Sequence, residues 1–215
     1  TSAAACQAGI YVTGPNKCLG CPPALSLVAV SDAAWDKIEA NPDAPFASML
    51  SLTDWRNAWK KTEPFPFTPS VAEINGLGAA LDRYLAEGPA AVWARHALTA
   101  KICREGVKAM GVGLWPASED IASPTATAVR MPDGIDAGPV LAEARARYGV
   151  SMSAGRAETL GKLIRIGHMG PTAQPIYALA AVAALGGALK ALGAEVDVGA
   201  GLAAAQAAWD AAIDG

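Results

Sequence analysis

Gly9-Ile10-Tyr11-Val12-Thr13-Gly14-Pro15-Asn16-Lys17-Cys18-Leu19-Gly20-Cys21-Pro22-Pro23 runs on through Ala24 into Leu25-Ser26-Leu27-Val28-Ala29-Val30. Lys17 is the one charged side chain in that stretch. The flanks are short and β-rich, so Ile10 to Val12 and Leu25 to Val30 are predicted as two buried strands. The residues between them are Gly- and Pro-rich, which makes the segment a turn. Two readings of Lys17 are open. It is a solvated loop cation, or an amine held beside an apolar pocket. In the second case burial disfavours the ammonium and leaves more of the free amine, the nucleophilic form. A free amine beside a carbonyl compound forms a Schiff base.

Composition frames what can surround this turn. The chain has 215 residues, 52% of them hydrophobic and 17% charged. That balance fits a packed core and excludes a disordered chain. Net charge is −3 with Lys and Arg scattered singly, so no basic stripe points to nucleic acid. The most apolar stretch, Ile176 to Leu192, is short, Ala/Gly-rich and interrupted by Lys190, which favours a packed helix over a membrane span. No basic segment followed by an apolar core opens the sequence, so a signal peptide is not expected. Cys18 and Cys21 form a CxxC pair, with Cys6 and Cys103 elsewhere. A zinc site wants a second pair or nearby histidines, and His96 and His168 are distant in sequence. Pro22-Pro23 also bars a thioredoxin-like helix there. Packing thiols in a reducing compartment, the cytoplasm, are the expectation.

Outward from the turn, Ser31-Asp32 is expected to cap a helix to about Glu39, stopped by Asn41-Pro42. Met49 to Lys61 has helical spacing in Leu52, Trp55 and Trp59. Pro64 to Pro69 is an extended linker, since its prolines exclude helix. Ser70 to Met110 is helical and broken by Gly88-Pro89; Gly76-Leu77-Gly78 within it is helix packing and not a phosphate loop. Strands are predicted at 113–115, 125–130, 150–153 and 163–166. Helices are predicted at 136–148, from about 172 to 192, and from 199 to 215. Asp133-Gly134 is a turn signal. Such a mixture predicts an α+β domain in the second part of the chain.

Two arginines stand out. Arg156 follows the small-residue turn Ser153-Ala154-Gly155, and Arg165 interrupts the apolar run Leu163-Ile164-Arg165-Ile166. A guanidinium does not lose its charge, so one in an apolar strand requires an anion, and its planar fork matches a carboxylate. The anion is a ligand, or a structural partner such as Glu158. His168 is expected to hold a backbone carbonyl, and His96 to be a packing or surface residue.

The run around Lys17 resembles the Schiff-base segment of class V pyridoxal-type aminotransferases. The likeness continues through Phe65-Pro66-Phe67-Thr68-Pro69-Ser70-Val71, Trp93-Ala94-Arg95-His96, and Gly155 to Gly170, and it covers essentially the whole chain. It implies an α/β, aspartate-aminotransferase-like (fold type I) architecture. Residues 1–69 would then be the C-terminal part of the large, cofactor-binding domain. Residues 70–215 would be the interdomain helices and the α+β C-terminal small domain. The groups that stack on the pyridine, pair with its nitrogen and cradle most of the cofactor would lie in a portion preceding Thr1. The resemblance therefore implies a piece of a longer, cleaved or split polypeptide.

The resemblance also assigns roles. Lys17 would be the Schiff-base lysine, Arg165 would grip the carboxylate of the amino or keto acid, and Arg156 would line the same site. Thr68 matches a hydroxyl that reaches the cofactor phosphate of a neighbouring subunit in phosphate-using relatives. Those relatives carry a tyrosine where this chain has Phe65, and Phe65 cannot donate a hydrogen bond. That departure favours unphosphorylated pyridoxal or pyridoxamine as the bound ring compound over pyridoxal phosphate, although Phe65 is equally readable as a packing ring. The branch this chain looks nearest to converts pyridoxamine and pyruvate to pyridoxal and L-alanine, a step in vitamin B6 degradation. The alternatives are a pyridoxal-phosphate-dependent alanine– or serine–glyoxylate aminotransferase, and a non-catalytic fragment or interaction domain. The implied partners are the small-molecule substrates, the N-terminal portion of the enzyme and further copies in a dimer or tetramer, with no nucleic acid and no membrane.

Overall fold

The computed structural model describes residues 6–214, so the opening Thr1 to Ala5 of the expected abrupt start lies outside the described residues. The chain divides into two compact units, Thr1–Arg83 and Tyr84–Gly215.

In the first unit, β1 (Ile10–Thr13) and β2 (Leu27–Val30) form a two-stranded antiparallel sheet pairing Ile10 with Val30 and Val12 with Val28. Two short helices follow. Ser31 caps α1 (Asp32–Glu39) by accepting from the Ala34 amide, and Ser51 caps α2 (Leu52–Trp59) by accepting from the Asp54 amide. Arg56 ties them together, stacking 4.2 Å over the Trp35 ring and pairing with Glu39. α3 (Val71–Glu87) carries the boundary between the units.

The expectation of buried strands is corrected here: every residue of β1 and β2 is exposed or half-buried. The physical reason is that two strands bury little, and among the described residues of this unit only Pro15 and Ala58 are buried apolar residues. Ile10, Val12, Val28, Phe46, Leu50 and Trp59 all reach the surface.

The second unit has a core. Gly88, with φ +88°, turns the chain so that Pro89 opens α4 (Pro89–Ala109) at the position where a missing N–H costs nothing. β3 (Ala126–Arg130) follows, then α5 (Ala137–Tyr148), capped by Asp136 and closed by left-handed Gly149. β4 (Ser153–Ala154) and β5 (Leu163–Gly167) complete an antiparallel sheet of order β3-β5-β4. α6 (Pro175–Ala191) and α7 (Val198–Ile213) end the unit. Ile102, Val107 and Met110 of α4 pack with Val129, Ile164 and Ile166 of the sheet, Val140 of α5, and Val182, Leu185 and Leu189 of α6. A Cβ on Gly106 would stand 3.0 Å from Val182 and 3.1 Å from Ala205, so glycine sets the approach of α4 to α6 and α7.

The strand expected at 150–153 shrinks to Ser153–Ala154, and the one at 113–115 to a single bridge between Leu114 and Val129. The helix expected from 172 begins at Pro175, after a 3₁₀ turn over Gly170–Thr172. Its buried Ala178, Val182, Leu185 and Leu189 make it a packed helix, and no helix among the described residues is long and apolar enough to cross a membrane.

Candidate active site

Lys17 sits in a tight turn of the first unit. The Gly20 amide donates to the Lys17 carbonyl at 3.0 Å, the Cys21 amide to the Pro15 carbonyl at 3.1 Å, and Gly20 takes φ +74°. Arg83 of α3 donates to the Leu19 carbonyl at 3.1 Å and so fastens the turn to the helix. Lys17 itself is exposed, which corrects the apolar pocket expected around it from the flanking strands. Those strands bury too little to make one. The amine forms no ion pair among the described residues, so it stands on a fixed backbone without a competing carboxylate.

Phe65 and Thr68 belong to the same unit. The Phe65 ring packs against Trp59 edge-on at 5.4 Å and against Trp55 at 6.0 Å, so it completes an aromatic cluster on α2. Thr68 is exposed.

Arg165 and Arg156 belong to the second unit, on the β4–β5 hairpin. Side chains alternate along β5. Ile164 and Ile166 enter the core, and Arg165 rises from the opposite face between Ala128 of β3 and Ser153 of β4. Small neighbours leave the guanidinium half-buried and reachable. Its Nε and Nη2 donate to the Ala154 carbonyl at 3.2 and 2.9 Å. That anchors one edge of the fork and leaves Nη1 for another acceptor. Among the described residues no carboxylate pairs with it, so a structural ion pair with Glu158 is not formed. A half-buried cation without an internal counter-charge is able to pair with an anion from outside.

Arg156 is exposed at the tip of the same hairpin. The tip is tightly built: the Arg156 amide donates to Thr159 Oγ1 at 2.9 Å, and Thr159 Oγ1 donates to the Arg156 carbonyl at 2.7 Å. A Cβ on Gly155 would lie 2.2 Å from the Thr159 carbonyl oxygen, and Ala157 is forced to φ +48°. Such sparsely populated backbone persists only where surrounding structure imposes it.

Both histidines are buried. His168 bonds through Nε2 to Thr127 Oγ1 at 2.8 Å, and the backbone of Pro124 also favours its charged form. The polar partner lies on β3 because the His168 amide, donating to the Thr125 carbonyl, continues the β3–β5 ladder. Desolvation pulls its pKa down to about 4, and the nearby Arg104 charge adds to the effect. His168 is therefore neutral at physiological pH.

His96 was not legible as anything more than a packing or surface residue, yet it is a bridge. Its Nδ1–H donates to the Val92 carbonyl at 2.7 Å, and its Nε2 accepts the Gly170 amide at 3.0 Å. Arg95 beside it donates to the Gly170 and Ala173 carbonyls at 3.0 and 2.7 Å and is held by both oxygens of Glu87. The two adjacent residues thus clamp both backbone groups of Gly170, just past the strand that carries Arg165. The cysteines are free, and burial pushes the Cys103 thiol up to about 11, leaving it inert.

No family model matches the chain. It is 66% identical over 206 residues to pyridoxamine–pyruvate transaminase of Mesorhizobium japonicum, covering 96% of this chain and 52% of that protein. It is 34% identical over 197 residues to L-aspartate–glyoxylate aminotransferase of Paracoccus denitrificans, covering 92% of this chain and 49% of that protein. The crystal structure of pyridoxamine–pyruvate aminotransferase from Mesorhizobium loti superposes with a TM-score of 0.95 at 65% identity, covering 98% of this chain and 54% of that one. The chain therefore spans about half the length of the curated relatives it matches. Over the half that it spans, the chain's relatives are class V aminotransferases, and it has their fold type I architecture.

Proposed function

We propose that this chain is the Lys17-, Arg156- and Arg165-bearing half of an aminotransferase that converts pyridoxamine and pyruvate to pyridoxal and L-alanine. The observation that carries this reading is Arg165: half-buried, anchored on a backbone carbonyl, and without an internal carboxylate. The identity of 66% to a protein named for that reaction supplies the substrates. Residues 1–69 are assigned to the large domain, 70–215 to the interdomain helices and small domain. The preceding portion of the enzyme and further copies in a homo-oligomer complete the site. The apolar side chains left uncovered on the first unit support such partners. Free thiols support a cytoplasmic setting.

The residues present fit an unphosphorylated pyridoxamine or pyridoxal. Lys17 offers an amine with no ion-pair partner, whereas Phe65 presents a packed ring and no donor to a phosphate. When bound, the aromatic vitamer supplies the electron sink. Arg165 holds the carboxylate of pyruvate through Nη1, assisted by Arg156, and so fixes the α-carbon for proton transfer. Lys17 takes a proton from the amine-bearing carbon of pyridoxamine and delivers it to the α-carbon of the bound pyruvate, which leaves as L-alanine. The amino group passes from one carbon to the other and the overall exchange balances without an oxidant.

A pyridoxal-phosphate-dependent glyoxylate aminotransferase is the second reading, favoured by the exposed Thr68 hydroxyl and the L-aspartate–glyoxylate relative. Kinetics of the complete enzyme with pyridoxamine and with pyridoxamine phosphate, each against pyruvate, decide between them. We expect the unphosphorylated amine to be the better substrate. Clearly better use of the phosphorylated one returns the chain to the second reading.

A further inference from the structure

Thr159 holds the backbone of Arg156 at both of its polar groups, and the reading above gives it no role. Its Oγ1 accepts the Arg156 amide at 2.9 Å and donates to the Arg156 carbonyl at 2.7 Å, and its own amide donates to that carbonyl at 3.0 Å. Arg156 is thereby kept extended, at φ −134° and ψ 158°. The three bonds close the turn around Ala157, whose φ of +48° is one that a residue with a Cβ takes only where its surroundings impose it. The turn is tied to β5 at both ends. The Gly155 amide donates to the Leu163 carbonyl at 3.0 Å, and the Lys162 amide to the Thr159 carbonyl at 3.1 Å. A Cβ on Gly155 would stand 2.7 Å from Thr159 Oγ1, so the glycine makes room for the hydroxyl.

Arg165 reaches the same segment. Its Nε and Nη2 donate to the Ala154 carbonyl, two residues before Arg156, and two residues of backbone span about 7 Å at most. The Arg156 side chain forms no ion pair among the described residues, so its backbone is the part of it that is fixed.

We propose that Thr159 is a positioning residue for the keto acid: by fixing the Arg156 backbone near the Arg165 guanidinium, it presents the second arginine to the substrate carboxylate. This rests on the reading that Arg156 lines the carboxylate site. A long side chain on a loosely held loop loses more freedom when it grips an anion, and a preset backbone removes part of that loss. The carboxylate is held alike before and during proton transfer, so losing the hydroxyl raises KM and leaves kcat.

The test uses the complete enzyme at saturating pyridoxamine with pyruvate varied. Thr159→Val keeps the shape of the side chain and removes the hydroxyl. It is expected to raise the KM for pyruvate about 2- to 10-fold, the range one hydrogen bond controls, with kcat and the KM for pyridoxamine held. Thr159→Ser keeps the hydroxyl and is expected to restore the wild-type KM. In an Arg156→Ala background, Thr159→Val is expected to add nothing, since the group it positions is gone. A purely structural hydroxyl would move the thermal midpoint and leave the kinetics alone. An unchanged pyruvate KM in Thr159→Val therefore overturns the proposal, as does an equal rise with and without Arg156. If Thr159→Val does not fold, Thr159→Ala in the same two backgrounds decides it. If Arg156→Ala alone leaves the pyruvate KM unaltered, the reading of Arg156 fails and this inference with it, an outcome recognised without any change at Thr159.

Discussion

Arg165 holds the Ala154 carbonyl with Nε and Nη2, which is why replacing it is not a question of charge alone. Lysine keeps the charge but has no planar fork, so Arg165→Lys loses the parallel pair. We expect the KM for pyruvate to rise by an amount corresponding to roughly 2 kcal/mol or more, with little change for pyridoxamine. Thermal unfolding should move little. A variant that unfolds, or one with unaltered keto-acid kinetics, would make Arg165 a structural residue. His168 makes a separate prediction. Its folded pKa, about 4, lies below that of an exposed histidine, so the unfolded chain binds more protons between those values. Its contribution is therefore fully present above about pH 6.5 and is lost as pH falls toward 4, by about 3 kcal/mol in all. Urea midpoints measured across that window should fall with pH in the wild type and fall less steeply in His168→Gln. Equal slopes would show that another group titrates.

The helices were legible because their signals are local. Ser31 caps α1 where it was expected to, and Gly88-Pro89 separates α3 from α4. Arg165 was legible for a related reason: a charged residue at an alternating position of an apolar run declares a sheet with one occupied face. The Arg95–His96 clamp was not, since its main partner is 74 residues away from His96 and is a backbone group, which no side-chain pattern reveals. Replacing His96 with leucine leaves the Gly170 amide buried and unpaired. We expect a loss of about 1–3 kcal/mol in urea unfolding, with α4 remaining helical by circular dichroism. An unchanged midpoint would show that the clamp contributes nothing to stability. The burial of β1 and β2 was misread because β-rich composition reports strand formation and is silent on what covers the strands.

At the scale of the whole molecule, the two units differ in kind. The second has a continuous core, whereas among the described residues the first buries only Pro15 and Ala58 among its apolar side chains. Phe46, Leu50 and Trp59 stand more than half exposed, at 82, 77 and 63%. Exposed apolar side chains of this kind support the proposed partners of the unit that carries Lys17. In the proposed function, the chemistry at the Lys17 turn depends on those partners. The most direct measurement is borohydride reduction of the complete enzyme with pyridoxal, followed by peptide mass mapping. We expect the pyridoxyl mass on Lys17, and Lys17→Ala to lose both the label and nearly all turnover. Label appearing mainly on Lys60, Lys61 or Lys162, with turnover surviving in Lys17→Ala, would contradict the assignment of this chain as the lysine-bearing half of a transaminase.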